Sequence, residues 1–329
     1  MCNIIECRHS NERSILDSRA HNPADMRWQT KCLIDNCKGL VPFQDTVRKL
    51  KRRLVPYQPP LGRGAYAIGE GLTQILWLRE SIGTLEGRAI LEIGSGWEPL
   101  IPMLFSLCRV ARVYLTDLNY LLNKVTLIGS LNSLRLDERR ILDTLGIESQ
   151  EFERVVGGDI ETEEEFLKRH GFIYLAPCDC RRLSLKESTL DVITSRSVLE
   201  HIPPLIIEEI FTECYRLLKP GGLACHFVDN SDHWEHGDKS ISRVNFLRFG
   251  DLTFRLTHLN SLNYQNRLRH IEYVEMLRKS GFEILRAERI VDPRAVEALA
   301  TFPLAPRFRR FSTEELATTD SYLLARKPL

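Results

Sequence analysis

Between Arg88 and Val228 the chain alternates short apolar runs with longer segments of helical period. The runs Ala89–Ile93, Arg112–Thr116, Phe172–Leu175, Leu190–Thr194 and Leu223–Val228 read as strands. Between them, Pro99–Cys108, Tyr120–Leu131 and Leu205–Leu218 read as helices. Strands that are apolar throughout need cover on both faces, and alternating β and α units supply it. The pattern therefore predicts a parallel sheet with helices on both faces. Further on, a helix over His270–Ser280 leads into a strand at Phe282–Ile290, and a last strand is expected at Tyr322–Arg326.

Upstream of Arg88 the signals are helical. In Phe43–Leu54, Val47, Leu50 and Leu54 share one helical face and basic residues occupy the other. Pro56, Pro59, Pro60, Gly62 and Gly64 then predict a loop. A helix over Glu70–Ile82 is stopped by Gly83. This gives an N-terminal helical cap over 1–87 ahead of a domain over 88–329. Two intervals in that domain are too long for simple connections. About 132–171, with an acidic helix near Thr162–Arg169, reads as a solvated insertion. About 230–269 reads as an inserted lid that holds the substrate.

The strongest local signal is Ala89-Ile-Leu-Glu-Ile-Gly-Ser-Gly-Trp-Glu-Pro99: a buried strand, a Gly-x-Gly turn and a helix start. Glycines there let a ligand approach the backbone, and the helix start offers free N–H groups. Asp117 ends the next strand, 21 residues beyond Gly96, where a carboxylate accepts ribose hydroxyls. The dinucleotide fingerprint has a third glycine where this chain has Pro99, and Glu98 sets negative charge where a pyrophosphate would lie. S-adenosylmethionine carries an ammonium and a sulfonium and no phosphate, so acids at Glu92 and Glu98 suit it.

These motifs resemble the class I S-adenosylmethionine-dependent methyltransferases of the small-molecule kind. Leu91-Glu-Ile-Gly-Ser-Gly96 resembles the first motif of that family, and Asp117 its second. Cys178–Ile202 resembles the third- and fourth-strand region, and Leu218-Lys-Pro-Gly-Gly222 the turn before the fifth strand. The resemblance implies a Rossmann-like seven-stranded, mostly parallel α/β sheet with an antiparallel terminal hairpin. It implies S-adenosyl-L-methionine as cofactor, contacted by Glu92, Gly94, Gly96, Asp117, Leu118, Asp179, Cys180 and Arg196. Asp179 stands where that family contacts the adenine amino group, and Cys180 where it offers a backbone group. The later part of the chain resembles bacterial methyltransferases linked to surface-sugar or secondary-metabolite pathways.

The segment His226–Asp238 packs histidines and carboxylates just past a strand end, where ligands bind in open α/β sheets. A general base is expected at His233, with His201 in reserve and Asp229 or Asp232 orienting the imidazole. A competing reading makes Asp229, Asp232 and a neighbouring histidine ligands of a divalent ion; the reading adopted has no metal. Aromatic and amide groups over Asn245–Phe249 and Asn263–Arg269 suit a polar, ring-shaped acceptor. Two alternatives stand beside catalysis: a non-catalytic cofactor-binding scaffold, and an NAD-dependent oxidoreductase, against which Glu98 and Pro99 speak.

Composition narrows the partners. In 329 residues, 45 Lys plus Arg balance 44 Asp plus Glu, so no global charge draws the chain to nucleic acid or to a membrane. The fourth-strand end reads Thr-Ser-Arg-Ser-Val-Leu-Glu-His and lacks the Pro-Pro-aromatic motif of amino-directed base methylation, so a small-molecule acceptor is expected. The basic run Arg48–Arg53 reads as a solvated face, with weak membrane-surface contact as the alternative. Nine cysteines, an odd number in a chain large enough to bury its own core, point to a reducing, cytoplasmic setting. The start lacks a signal-peptide apolar stretch, and Pro99–Leu107 is far short of the ~20 residues that cross a bilayer. Cys2/Cys7 and Cys32/Cys37, with His9 or His21 nearby, are spaced too widely for a zinc knuckle.

Overall fold

The structure is a computed structural model that describes residues 27–39, 63–160, 162–259 and 264–329. The basic run 48–53, the Cys2/Cys7 pair, His9 and His21 lie outside the described residues.

Seven strands form one sheet in the order β3-β2-β1-β4-β5-β7-β6. They are β1 (Ala89–Ile93), β2 (Arg112–Thr116), β3 (Phe172–Tyr174), β4 (Leu190–Arg196), β5 (Leu218–Asp229), β6 (Glu283–Val291) and β7 (Thr318–Arg326). The first five pair in parallel, while β7 inserts antiparallel between β5 and β6. The strand order reverses direction beside β1, between β1 and β4, and in open α/β sheets ligands bind at such a switch point. The parallel sheet and the terminal antiparallel pair agree with the sequence expectation.

One apolar layer lies between the sheet and helices α1 (Trp28–Gly39) apart, α2 (Arg63–Ile82), α3 (Leu100–Leu107) and α4 (Lys124–Leu136). The opposite layer holds α8 (Pro204–Leu217) and α10 (His270–Lys279). Helix α3 is buried on every side, as its all-apolar Leu-Ile-Pro-Met-Leu-Phe-Ser-Leu sequence requires. Asn123 starts α4 with a capping box: its side chain accepts from Thr126 N at 3.1 Å, and Thr126 Oγ1 accepts from Asn123 N at 3.2 Å.

Two expectations change. The glycines read as loop signals before Glu70 include Gly64, which lies inside α2. A Cβ on Gly64 would come within 2.9 Å of Ser133 Oγ, and one on Gly71 within 2.8 Å of Leu104. These glycines bring α2 close to α4 and α3, a packing role that a breaker rule misreads. The 132–171 interval is not a solvated insertion. It folds into α5 (Glu138–Leu145), α6 (Ser149–Val156) and α7 (Glu163–Arg169). Their Ile141, Leu145, Phe152, Val155, Val156 and Phe166 join the first apolar layer.

The 230–269 segment contains a short 3-10 turn (Asn245–Arg248) and α9 (Asp251–Thr257). Val244, Phe246, Leu247 and Phe254 pack there with Ala295 of α11 (Pro293–Leu299) and Leu316 of α12 (Thr313–Leu316). This satellite core sits beyond the C-terminal end of β5. Helix α1 reaches it: Trp28 N donates to Asp238 Oδ2 at 2.8 Å, and Asn36 Nδ2 to the Leu256 carbonyl at 2.9 Å.

Candidate active site

The cofactor end is a backbone structure. After β1 the chain turns through Gly94 and Gly96 at φ of 69° and 64°, the left-handed region that glycine enters without strain. A Cβ on Gly94 would strike Val198 at 2.6 Å, so the glycine turn is seated directly on the turn that follows β4. A Cβ on Gly96 would meet only the Gly94 carbonyl at 3.9 Å, so Gly96 faces open space. Asp117 joins this turn from the end of β2. Its Oδ2 accepts from Gly96 N at 3.1 Å, and its Oδ1 from Asn119 N at 2.9 Å. Leu118 beside it is 71% exposed.

Glu92, on the last turn of β1, is buried and its Oε2 has no hydrogen-bond partner. Burial pushes its carboxyl up to about 8, with Arg196 pulling against the shift. A buried carboxylate without a partner is a costly group. A ligand cation against it would restore its charge, which is what the ammonium or sulfonium of S-adenosylmethionine offers. With Gly96 facing open space and Asp117 at the strand end, these residues fit that cofactor.

Three of the expected cofactor residues have their side chains engaged otherwise. Asp179 is gripped by Arg181, whose Nε lies 3.0 and 2.9 Å from its two oxygens and whose Nη2 lies 2.6 Å from Oδ2. That hydrogen bonding holds the Asp179 carboxyl below its usual range. The Cys180 thiol donates to Thr116 Oγ1 at 3.2 Å, and Arg196 Nε donates to Glu70 Oε2 of α2 at 2.5 Å.

The other end of the cleft is made of charged side chains. A 3-10 turn (Leu199–His201) follows β4 and sets Glu200 and His201 beside the residues just past β5. His201 and His233 stand with ring centres 5.0 Å apart, as do His233 and His236. Asp229 Oδ2 lies 3.5 Å from His233 Nε2 and 3.6 Å from His236 Nε2. Burial alone would raise the Asp229 carboxyl, but the hydrogen bond to His233 and the two histidine charges hold it far below the usual range. Burial lowers His201, and it lowers His236 to about 4.

The three residues expected to carry catalysis thus converge, with Asp229 Oδ2 3.5 Å from His233 Nε2. Asp232 is buried in a turn, its Oδ1 accepting from Trp234 N at 2.9 Å, and it lies outside the cluster of Glu200, His201 and His233 donor atoms. Sequence reasoning missed Glu200, Glu70, Arg243 and Asp320. Glu200 lies in Val-Leu-Glu-His-Ile and Glu70 in Ala-Ile-Gly-Glu-Gly-Leu, and a lone acid in an apolar run is the signal that marks both. Asp320 sits opposite Asp229 in the β5–β7 register, and Arg243 Nη2 faces it at 3.6 Å. Burial pushes Asp320 up to about 7 despite Arg243.

Residues 142–226, from α5 to mid-β5, match the family model described as a methyltransferase domain. The match begins after the glycine turn. No curated protein matches the chain. Among solved structures it is similar to a methyltransferase in complex with the Trm112 methyltransferase activator from Haloferax volcanii. That match has 15% identity and a TM-score of 0.42, covering 82% of this chain and 95% of that one. It is also similar to phosphoethanolamine N-methyltransferase 2 of Haemonchus contortus, in complex with S-adenosyl-L-methionine, at 16% identity and TM-score 0.43 over 78% and 52% of the two chains. An S-adenosylmethionine-dependent methyltransferase from Mesorhizobium loti gives 16% identity and TM-score 0.41 over 76% and 96%. Among the described residues, no helix is long and apolar enough to cross a membrane.

Proposed function

We propose that this chain is an S-adenosylmethionine-dependent methyltransferase that carries the methyl group to an oxygen or nitrogen of a polar small molecule, such as a sugar or polysaccharide precursor. The acceptor would be held beneath the 230–269 segment. The observation that carries this reading is the convergence of His201, His233 and Asp229 beside the turn on which Gly94 rests.

Glu92, Gly94, Gly96, Asp117 and Leu118 would hold the cofactor, with Asp179, Cys180 and Arg196 at its edges. The sulfonium is already activated, so the protein mainly aligns nucleophile, methyl and sulfur. The acceptor lone pair forms the new bond to carbon, and the carbon–sulfur pair returns to sulfur. An acceptor hydroxyl would lose its proton to His233, which Asp229 faces at Nε2, leaving Nδ1 to receive it. A cytoplasmic setting belongs to the same reading, supported by seven described cysteines that are free thiols.

The test is turnover: S-adenosylhomocysteine release measured against a panel of sugars, phenols and amines. Release with a hydroxylated ring compound and not with oligonucleotides is the expected result. Cofactor binding with no release for any acceptor would favour the scaffold reading.

A further inference from the structure

The acceptor end holds a second constellation. Glu200, His201 and His233 each present one donor atom, and these atoms lie within 4.8 Å of one another. Donors that share one tetrahedral ion at ~2.0–2.2 Å stand about 3.3–3.6 Å apart, so side-chain rotations would close the set. Glu200 is 2% exposed, and neither of its carboxylate oxygens has a hydrogen-bond partner. The nearby cations are engaged elsewhere: Arg196 pairs with Glu70 at 2.5 Å, and Arg243 faces Asp320 at 3.6 Å.

Each imidazole has one nitrogen set toward an oxygen. His201 Nδ1 lies 2.9 Å from the Tyr264 carbonyl, which can only accept, so Nδ1 carries the proton and Nε2 the lone pair. His233 Nε2 faces Asp229 Oδ2 at 3.5 Å, leaving Nδ1. Metal-ligating histidines are held in this way, with the second ring nitrogen fixed by a carboxylate or a backbone carbonyl. The backbone is held too: Asn266 Nδ2 donates to the Leu199 and Ile202 carbonyls at 2.7 and 2.8 Å, and Asn266 N to the Glu200 carbonyl at 2.7 Å.

We propose that Glu200, His201 and His233 form a two-histidine, one-carboxylate site for a divalent transition-metal ion, oriented by Asp229 and the Tyr264 carbonyl. Two imidazoles with one carboxylate suit zinc, iron, cobalt or manganese, whereas magnesium prefers oxygen ligands throughout. The site stands on its own geometry and does not require the methyl-transfer assignment. Where both hold, His233 would serve as a ligand rather than as the base, and the ion would supply a Lewis acid beside the acceptor.

The experiment strips the full-length protein with a chelator and titrates it with Co²⁺, following visible absorption and heat. One equivalent of Co²⁺, displaced by Zn²⁺ and not by Mg²⁺, is expected. Glu200→Gln and His201→Gln should each weaken Co²⁺ binding at least about 100-fold, more than loss of an outer partner costs. His201 lies at the surface, so His201→Gln tests the site even if Glu200→Gln fails to fold, and circular dichroism melting checks both. His236→Gln should leave the affinity within a few-fold. No Co²⁺ or Zn²⁺ binding by the wild type, or undiminished binding in His201→Gln, would overturn the site. So would a loss in His236→Gln that His201→Gln does not show. Metal content is read without turnover, so this result and the acceptor assay fail independently.

Discussion

At the β1–β2 end of the cleft the protein presents backbone. Two glycines in the left-handed region and one carboxylate bound to a backbone N–H form a surface for a ligand. At the β4–β5 end it presents charged side chains: Glu200, Asp229 and Asp320 against His201, His233, His236 and Arg243. The first end depends on shape and tolerates little added volume. The second depends on which protons and cations sit among buried charges, and tolerates little change of charge. Cofactor recognition and acceptor chemistry therefore respond to different kinds of substitution.

The sharpest break is Gly96→Val. The side chain enters the open space the cofactor needs, at a φ that costs a branched residue ~1–2 kcal/mol. Calorimetry should detect no S-adenosylmethionine binding, with a melting temperature only a few degrees lower. Gly94→Val should instead lower melting much further, because its Cβ strikes Val198 at 2.6 Å. Equal melting for the two variants would contradict the difference between the two glycines.

Next in size is His233→Ala. With the acceptor in hand, its maximal rate should fall roughly 10²–10⁴-fold while cofactor affinity stays at wild type. A change in cofactor Kd comparable to the rate loss would show that the two ends are not separable.

Glu92→Gln probes the buried carboxyl at the shape-dependent end, whose Oε2 has no partner. Its folded pKa of about 8 lies above the unfolded value of ~4.3, so the unfolded chain loses this proton first. Stability attributable to Glu92 is full below pH ~4.3, falls as pH climbs toward 8, and is level above. Glu92→Gln removes that slope. It should match wild type near pH 4 and exceed it at pH 8 by on the order of 1–4 kcal/mol in the absence of cofactor. Denaturant melts at the two pH values decide it; identical pH slopes would mean that Glu92 is charged in the free protein.

The smallest effect expected is that of Asp117→Ala. Losing charge-assisted ribose bonds, about 1.5–3 kcal/mol each at most, should weaken S-adenosylmethionine more than tenfold without changing the acceptor KM. An unchanged affinity would remove Asp117 from the cofactor end.

The cofactor end was legible in the sequence because it is contiguous. Gly94, Gly96 and Asp117 follow a strand–turn–helix–strand rule in which spacing determines place. The strands were legible for the same reason, with β1 and β2 ending where apolar runs end. His201, His233 and Asp229 were found because each lies at or just past a strand end. Glu200 was not, since only the 3-10 turn that buries it distinguishes it from a surface acid. Asp320 and Arg243 come from opposite ends of a tertiary arrangement that no local pattern encodes. The 132–171 helices were misjudged because their many charges masked one apolar stripe per helix.

The guanidinium of Arg269, fully buried, donates to the Asn230 carbonyl at 2.8 Å and to the Thr318 carbonyl at 3.2 Å, tying the exit of β5 to the start of β7. Asn230 N in turn donates to the Thr319 carbonyl at 2.8 Å. During synthesis the residues of the cofactor turn leave the ribosome some two hundred residues before Thr318 and Thr319 do. Every residue of the switch point between β1 and β4 is thus synthesised before the strand that braces the acceptor end. The charged half of the cleft is complete only with β7 in place between β5 and β6.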